Sequence, residues 1–116
     1  MVPLTRRTLL IEVIAGWGAP VVLCARTRLG TINHTLLSIE ALRRRAIPLL
    51  GVAFVGEAHP ENERMVGSFG KVSILGRLPP LDPLTPQTLA AAFAQAFERE
   101  SFSSPDSRSG SSRRPP

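Results

Sequence analysis

Tyrosine is absent from this sequence of 116 residues, and cysteine and tryptophan occur only once each. The single cysteine, Cys24, excludes an internal disulfide and any metal cluster built from several thiolates. Few aromatic rings leave few surfaces on which nucleotide bases could stack. The net charge is +5, and three arginines against one aspartate place +2 of it in residues 103–116. We therefore expect no nucleic-acid partner.

A long apolar run is also missing, since no segment reaches the roughly 18 apolar residues that would span a bilayer. Arg6 and Arg7 precede an apolar stretch, as in a twin-arginine export signal, but Glu12 interrupts it. The apolar residues of this stretch instead recur with helical spacing; they are Leu9, Leu10, Val13, Ile14 and Trp17. The segment therefore predicts an amphipathic helix, with no membrane partner.

Glycine-rich phosphate motifs are missing as well. A phosphate loop needs G-x-x-x-x-G-K-[ST] between a strand and a helix, and the nearest match is GSFGKVS. Met65 stands where the first glycine would be, and Gly70-Lys71 precedes a predicted strand instead of opening a helix. We interpret the pair as a turn with an exposed lysine. No G-x-G-x-x-G fingerprint occurs either.

What the sequence does contain is a regular alternation of helices and strands. Predicted strands cover Pro20–Ala25, Leu49–Val55 and Val72–Leu75, and predicted helices cover Leu9–Trp17, Thr31–Arg45, Pro60–Phe69 and Pro86–Glu100. GRLPPLDPLTP is predicted to be irregular. The alternation predicts an α/β fold with parallel strands joined by right-handed crossover helices. Residues 1–102 form one domain in this prediction, and the Ser/Arg/Pro-rich residues 103–116 a disordered tail.

Three details of this prediction can be tested directly. The first strand is a continuous apolar run, so we expect it to be covered on both faces, with Cys24 buried as a small hydrophobe. A Cys/His catalytic pair is conceivable but disfavoured, because Cys24 lies within the strand. Arg43, Arg44 and Arg45 are interpreted as the solvated end of the second helix.

The start of the second helix is the best candidate site. Thr31 is predicted as its N-cap, directly after a strand, where α/β proteins bind ligands. The backbone N–H groups of a helix start favour a carboxylate or phosphate, and Asn33 could add a side-chain donor. An ordinary capped helix has the same pattern, so this reading stays open. His34 is interpreted as a packing or capping residue.

A resemblance to a known family bears on whether this helix start is a ligand site or an ordinary capped helix. ARTRLGTINHTLLSIEALRRRAIPLLGVAF closely resembles the L-G-x-I-N-H region of dethiobiotin synthetases, as do VPLTRRTLLIEVIAGWGAPVVL and LGRLPPLDPLTPQTLAAAF. The resemblance covers most of residues 2–98. It implies part of a three-layer P-loop NTPase-like fold and a cytoplasmic homodimer. It also implies ATP and Mg²⁺ as cofactors, with 7,8-diaminopelargonic acid and CO₂ or bicarbonate as substrates for closing the ureido ring of dethiobiotin, in biotin biosynthesis.

Residue roles also follow from the resemblance. Thr31, Ile32 and Asn33 match the helix start that holds the carboxylate of the partner subunit's substrate, and Leu78, Pro79, Pro80 and Leu81 match the loop over the nucleotide base. Many members place an adenine-binding asparagine where this chain has Val55-Gly56.

The resemblance further implies that this chain corresponds to the carboxyl-terminal half of the family. The phosphate lysine, the Mg²⁺ carboxylates and the carbamate-assisting lysine then fall outside it, so we expect no catalytic residue and no metal ligand here. A ligase that is inactive as this chain alone is one expectation. A non-enzymatic fragment or dimerisation module is the alternative.

Overall fold

Three parallel strands form the centre of the structure. The computed structural model describes residues 1–103, so the predicted disordered tail, residues 103–116, lies outside the described residues except for Ser103. The strands are β1 (Val21–Arg26), β2 (Leu49–Val55) and β3 (Ile74–Leu78), and they lie in the order β1-β2-β3. Both neighbouring pairs are parallel, which confirms the predicted α/β fold with a parallel sheet.

Four α-helices alternate with these strands, as predicted. They are α1 (Leu10–Trp17), α2 (Thr31–Arg44), α3 (Pro60–Gly70) and α4 (Pro86–Ala96), and a 3₁₀ turn follows at Arg99–Phe102. Two of the helices begin with proline, whose missing N–H needs no partner in a first helical turn. No helix within residues 1–103 is long and apolar enough to cross a membrane.

The third strand corrects the sequence prediction, because it lies further along the chain than Val72–Leu75. Gly76, Arg77 and Leu78 belong to it, although they open the segment predicted to be irregular. Gly76 pairs with Ala53 and Arg77 with Phe54, so pairing with a buried central strand outweighs the weak strand preference of glycine and arginine. The strand ends where Pro79 and Pro80 begin, since proline cannot donate to the ladder.

The hydrophobic core lies between one face of the sheet and helices α2 and α3. Val52, Phe54 and Val66 are fully buried there, and Ile39 of α2 is 2% exposed. Val52 and Phe54 point to the same face because side chains alternate along a strand. The central strand is therefore the element that residues 1–103 bury best.

On the opposite face of the sheet, within residues 1–103, helix α4 packs against β3. A Cβ atom at Gly76 would lie 2.2 Å from the carbonyl oxygen of Ala96 in α4, so that helix packs directly on the β3 backbone. Helices thus lie on both faces of the sheet, which gives the three layers expected.

The first strand departs from the prediction that both of its faces are covered. Ala25 is buried, but Cys24 and Arg26 are exposed. Within residues 1–103, β1 is an edge strand and α4 does not reach across to it. Cys24 is therefore not the buried hydrophobe that was predicted.

The arginines at the end of α2 fit the prediction of a solvated helix end in part, because one of them also forms hydrogen bonds with another helix end. The Arg43 guanidinium donates to the carbonyl oxygens of Gly70 and Lys71, with 2.7 Å to the latter. Lys71 adopts a left-handed conformation (φ 47°) at the C-cap of α3. Gly70-Lys71 therefore ends a helix, as expected, and Arg43 joins α2 to that helix end. Arg43 and Arg44 are both exposed, as predicted, and Arg44 forms an ion pair with Glu40, whereas Arg45 is half-buried.

Candidate functional site at the carboxyl edge of the sheet

Two predicted site segments follow strands that end at the same edge of the sheet. Parallel strands place all their carboxyl ends together, so the start of α2, after β1, and residues 78–81, after β3, share this edge. The central strand separates them, which corresponds to about 10 Å at the usual spacing between strands. Backbone hydrogen bonds connect the three strand ends. The Thr27 N–H donates to the carbonyl of Val55, and the Gly56 N–H donates to the carbonyl of Leu78.

The N-cap of α2 is not the residue that was predicted. Gly30, not Thr31, is the N-cap, with φ 91°, and its carbonyl accepts from the His34 N–H at 3.0 Å. Glycine adopts this left-handed conformation without steric cost. Thr31 is the first helical residue; it is 7% exposed, and its hydroxyl lies 3.3 Å from that of Thr35. Its side chain is therefore a packing element.

Ile32 lies against the core, and Asn33 faces the solvent. Ile32 packs against the core cluster, whereas Asn33 is exposed. No other side chain or backbone group of residues 1–103 forms a hydrogen bond with the Asn33 amide. Of the three predicted substrate-binding residues, Asn33 is thus the one with a polar side chain free for a ligand, while Thr31 and Ile32 can offer backbone N–H groups.

A pocket of about 320 Å³ lies beside this helix start, against β1. Arg26, Arg28, Thr31 and His34 are among the residues that line it, together with Cys24. Within residues 1–103, neither arginine takes part in an ion pair, so the pocket carries uncompensated positive charge. Sequence reasoning missed both arginines. Their position in the sequence could have indicated them, because they flank Thr27 between the end of β1 and the start of α2.

Cys24 and His34, the conceivable catalytic pair, line the same pocket. The pocket brings them into one place although they are ten positions apart in the chain. They share no hydrogen bond among the described residues, so their arrangement does not support nucleophilic catalysis.

The predicted nucleotide-base loop leaves the sheet at Leu78. Leu78 and Leu81 are half-buried, and Pro80 is exposed. Arg77, just before the loop, donates to the carbonyl oxygen of Gly56 at 2.8 Å. This contact ties the end of β3 to the end of β2 and fixes where the loop begins.

Val55 and Gly56 occupy the position where an asparagine would read adenine. Val55 is 45% exposed, so an apolar side chain faces that part of the edge. Gly56 has φ 132°, and a Cβ atom there would lie 2.4 Å from the Thr27 hydroxyl oxygen. Both this backbone conformation and the nearby Thr27 hydroxyl require glycine at this position. No amide side chain stands at this position to read a base.

Metal binding finds no support in the described part of the chain. No group of three or more His, Cys, Asp or Glu side chains in residues 1–103 is arranged to hold an ion. With Gly70-Lys71 at the end of a helix, these residues also lack a phosphate loop.

Comparison with known proteins gives consistent matches. The family model described as "AAA domain" matches residues 1–88. An ATP-dependent dethiobiotin synthetase of Rhodopseudomonas palustris (strain BisB18) is 60% identical over 104 residues, which are 90% of this chain and 50% of that protein. Similar enzymes of Afipia carboxidovorans and Agrobacterium fabrum are 59% and 57% identical over 102 residues. The chain spans about half the length of these curated relatives.

Proposed function

This chain belongs to the AAA-domain family and resembles the dethiobiotin synthetases over most of residues 2–98, and we propose that it supplies the substrate-carboxylate and nucleotide-base parts of such an active site. The reaction would be the ATP- and Mg²⁺-dependent carboxylation of 7,8-diaminopelargonic acid and the closure of its ureido ring. Alone, the chain is inactive in this proposal. The observation that supports the assignment best is the Asn33 amide, which has no hydrogen-bond partner among residues 1–103. It lies in the first turn of α2, and Thr31 and His34 of the same helix, though not Asn33 itself, line the pocket that contains Arg26 and Arg28.

The substrate carboxylate is assigned to the start of α2. The backbone N–H groups of a first helical turn have no intrahelical acceptors, and the helix dipole adds partial positive charge there. Asn33 donates a further hydrogen bond, and Arg26 and Arg28 raise the local positive potential. Since a helix start alone leaves the carboxylate exposed to water, a second subunit facing it completes the site. The active form is thus a homodimer.

The nucleotide base is assigned to Leu78, Pro79, Pro80 and Leu81. Half-buried apolar side chains and two rigid prolines offer a surface for a flat ring. The described residues fit only this part of ATP, since they contain neither a phosphate loop nor an acidic cluster for Mg²⁺. Phosphate and metal binding are therefore assigned to the half of the family that this chain does not match.

A chimaera tests the function. Residues 1–103 of this chain would replace the matched segment of the R. palustris BisB18 enzyme, and turnover of diaminopelargonate with ATP, Mg²⁺ and bicarbonate would be measured. We expect an active chimaera. In it, Asn33→Ala should raise the KM for diaminopelargonate about ten- to hundred-fold, because one hydrogen bond to a charged group contributes about 1.5 to 3 kcal/mol. The KM for ATP should hardly change.

Asn62→Ala is the matched control, since Asn62 lies in α3, outside both proposed segments, and should leave both KM values unchanged. An inactive chimaera beside an active parent enzyme would contradict the proposed function. An unaltered diaminopelargonate KM in Asn33→Ala, or an equal rise for ATP, would return the start of α2 to an ordinary capped helix.

A further inference from the structure

The backbone groups at the end of β2 are already hydrogen-bonded. The Gly56 N–H donates to the carbonyl of Leu78 at 3.0 Å, and the Gly56 carbonyl accepts from the Arg77 guanidinium at 2.8 Å. A carbonyl oxygen has a second lone pair, but an amino group of a base that donated to it would approach the positive charge of Arg77. Gly56 therefore offers a base neither a free donor nor a favourable acceptor.

The side chains around Gly56 are apolar, buried or solvated. Val55 presents an apolar side chain that is 45% exposed, whereas the Thr27 hydroxyl, beside Gly56, belongs to a residue that is only 4% exposed. Glu57 and Asp82 follow the two strand ends and are exposed. A hydrogen bond from a base to either carboxylate would replace one from water, so it would contribute little to selectivity.

The loop after β3 offers apolar surface in the same way. Pro79 and Pro80 have no N–H group, and the side chains of Leu78 and Leu81 are half-buried hydrocarbons. A flat ring can pack on such a surface through dispersion, whichever atoms its edge contains. An apolar site rejects a similar ligand only weakly, whereas a site with a dedicated hydrogen-bond partner rejects an unmatched ligand about 10⁴- to 10⁵-fold.

We propose that the nucleotide site of this protein accepts purine nucleoside triphosphates as a class, ATP, GTP and inosine triphosphate (ITP) alike, and that Val55 determines this tolerance. The inference rests on the proposed function, because it assigns the substrate class of the same nucleotide site. The three nucleotides share their phosphates, ribose and ring system and differ in the groups at the base edge. With apolar contacts to the base, they should bind with similar affinity.

Nucleotide binding to the chimaera described above tests this inference. Isothermal titration calorimetry with Mg²⁺ and without diaminopelargonate would give dissociation constants for ATP, GTP and ITP. ITP is the sharpest probe, because its base has a carbonyl oxygen where adenine has an amino group. We expect the three dissociation constants to agree within about ten-fold, the lower end of what an apolar pocket discriminates.

Val55→Asn introduces an amide at the end of β2. An asparagine side chain can pair with the amino group and a ring nitrogen of adenine at once, so this variant should bind ATP at least about ten-fold more tightly than ITP. Met65→Asn is the matched control: Met65 is exposed to a similar fraction (43%) but lies in α3, outside both proposed segments. The control should keep the ratio of the unsubstituted chimaera. Because each ratio is measured within one protein, a general loss of stability does not change it.

Several results would overturn the inference. They are a preference for ATP greater than about ten-fold in the unsubstituted chimaera, a preference of that size for GTP and ITP, which would show that Arg77 reads the base carbonyl, an unchanged ratio in Val55→Asn, and failure of every nucleotide to bind. Equal binding of the three nucleotides by a chimaera without turnover would leave this inference standing and contradict the proposed function. An active chimaera that selects ATP would do the reverse.

Discussion

Gly76 has no side chain, and this allows α4 to approach the sheet closely. With φ 155°, this residue turns its Cα towards Ala96, and a Cβ atom would lie 2.2 Å from the Ala96 carbonyl and 3.0 Å from the Phe97 ring. Phe97 is itself buried and stacks on Phe93 at 4.7 Å between ring centroids. The contact fixes the position of α4 and hence of the loop that precedes it, which carries the proposed nucleotide surface.

Gly76→Ala should therefore lower the free energy of unfolding by about 2 to 4 kcal/mol, because the added methyl group meets backbone that cannot yield and the backbone conformation itself disfavours a side chain. Urea unfolding of the chain would measure the loss. Gly16→Ala is the control: Gly16 lies in α1 with no neighbouring atom within 4 Å, so it should be neutral or stabilise by up to about 1 kcal/mol. Equal stability of the two variants would contradict this account.

At the scale of elements, an arginine of one helix caps the end of another. Arg43 of α2 donates to the last carbonyl of α3, that of Gly70, and to the next one, that of Lys71, groups that have no intrahelical donor. The neighbouring Arg44 pairs with Glu40 at 2.7 Å on the same helix, with both side chains more than half exposed. Adjacent residues of one type therefore have different roles, and only the packing of α2 against α3 distinguishes them.

Arg43→Ala should cost about 1 to 2 kcal/mol of stability, since it removes two charge-assisted hydrogen bonds in a partly exposed setting. Arg44→Ala should cost less than about 0.5 kcal/mol, as exposed helix pairs usually do. Thermal unfolding of both variants at equal pH and salt gives the comparison. The reverse order, or an equal loss, would show that the Arg43 contact does not stabilise the pair of helices.

At the scale of the whole molecule, the described structure holds the carboxyl edge of a sheet and one side of a proposed site, without a phosphate loop or an acidic cluster. Phosphoryl chemistry depends on the electrostatic stabilisation that such groups provide. The described residues therefore lack the groups on which such chemistry depends.

The chain by itself should not form dethiobiotin from diaminopelargonate, ATP, Mg²⁺ and bicarbonate. Mass spectrometric detection of dethiobiotin under multiple-turnover conditions would check this, with the intact R. palustris enzyme as the positive control. Turnover on the order of 1 per second, an ordinary enzyme rate, would mean that a complete active site is present and that the assignment of phosphate binding to the unmatched half of the relatives is wrong.

Hydrophobic periodicity and proline positions were enough to predict much of this fold. The limits of β2 are as predicted, α3 and α4 begin at the predicted prolines, and the parallel sheet follows from the alternation of helices and strands. These features depend on neighbours along the chain, such as an apolar run over Leu49–Val55 or a proline that fits a first helical turn. Local physics determines them, so the sequence alone reveals them.

Tertiary structure decided the remainder. Gly76, Arg77 and Leu78 are a strand because β2 lies beside them, and Cys24 is exposed because nothing in residues 1–103 covers that face of β1. Gly30 replaces Thr31 as the N-cap, since the chain must turn sharply at the sheet edge and a left-handed glycine makes that turn. Arg26 and Arg28 line the pocket because the same turn brings them beside the start of α2. Each of these outcomes depends on contacts between segments distant in sequence, which no local pattern records.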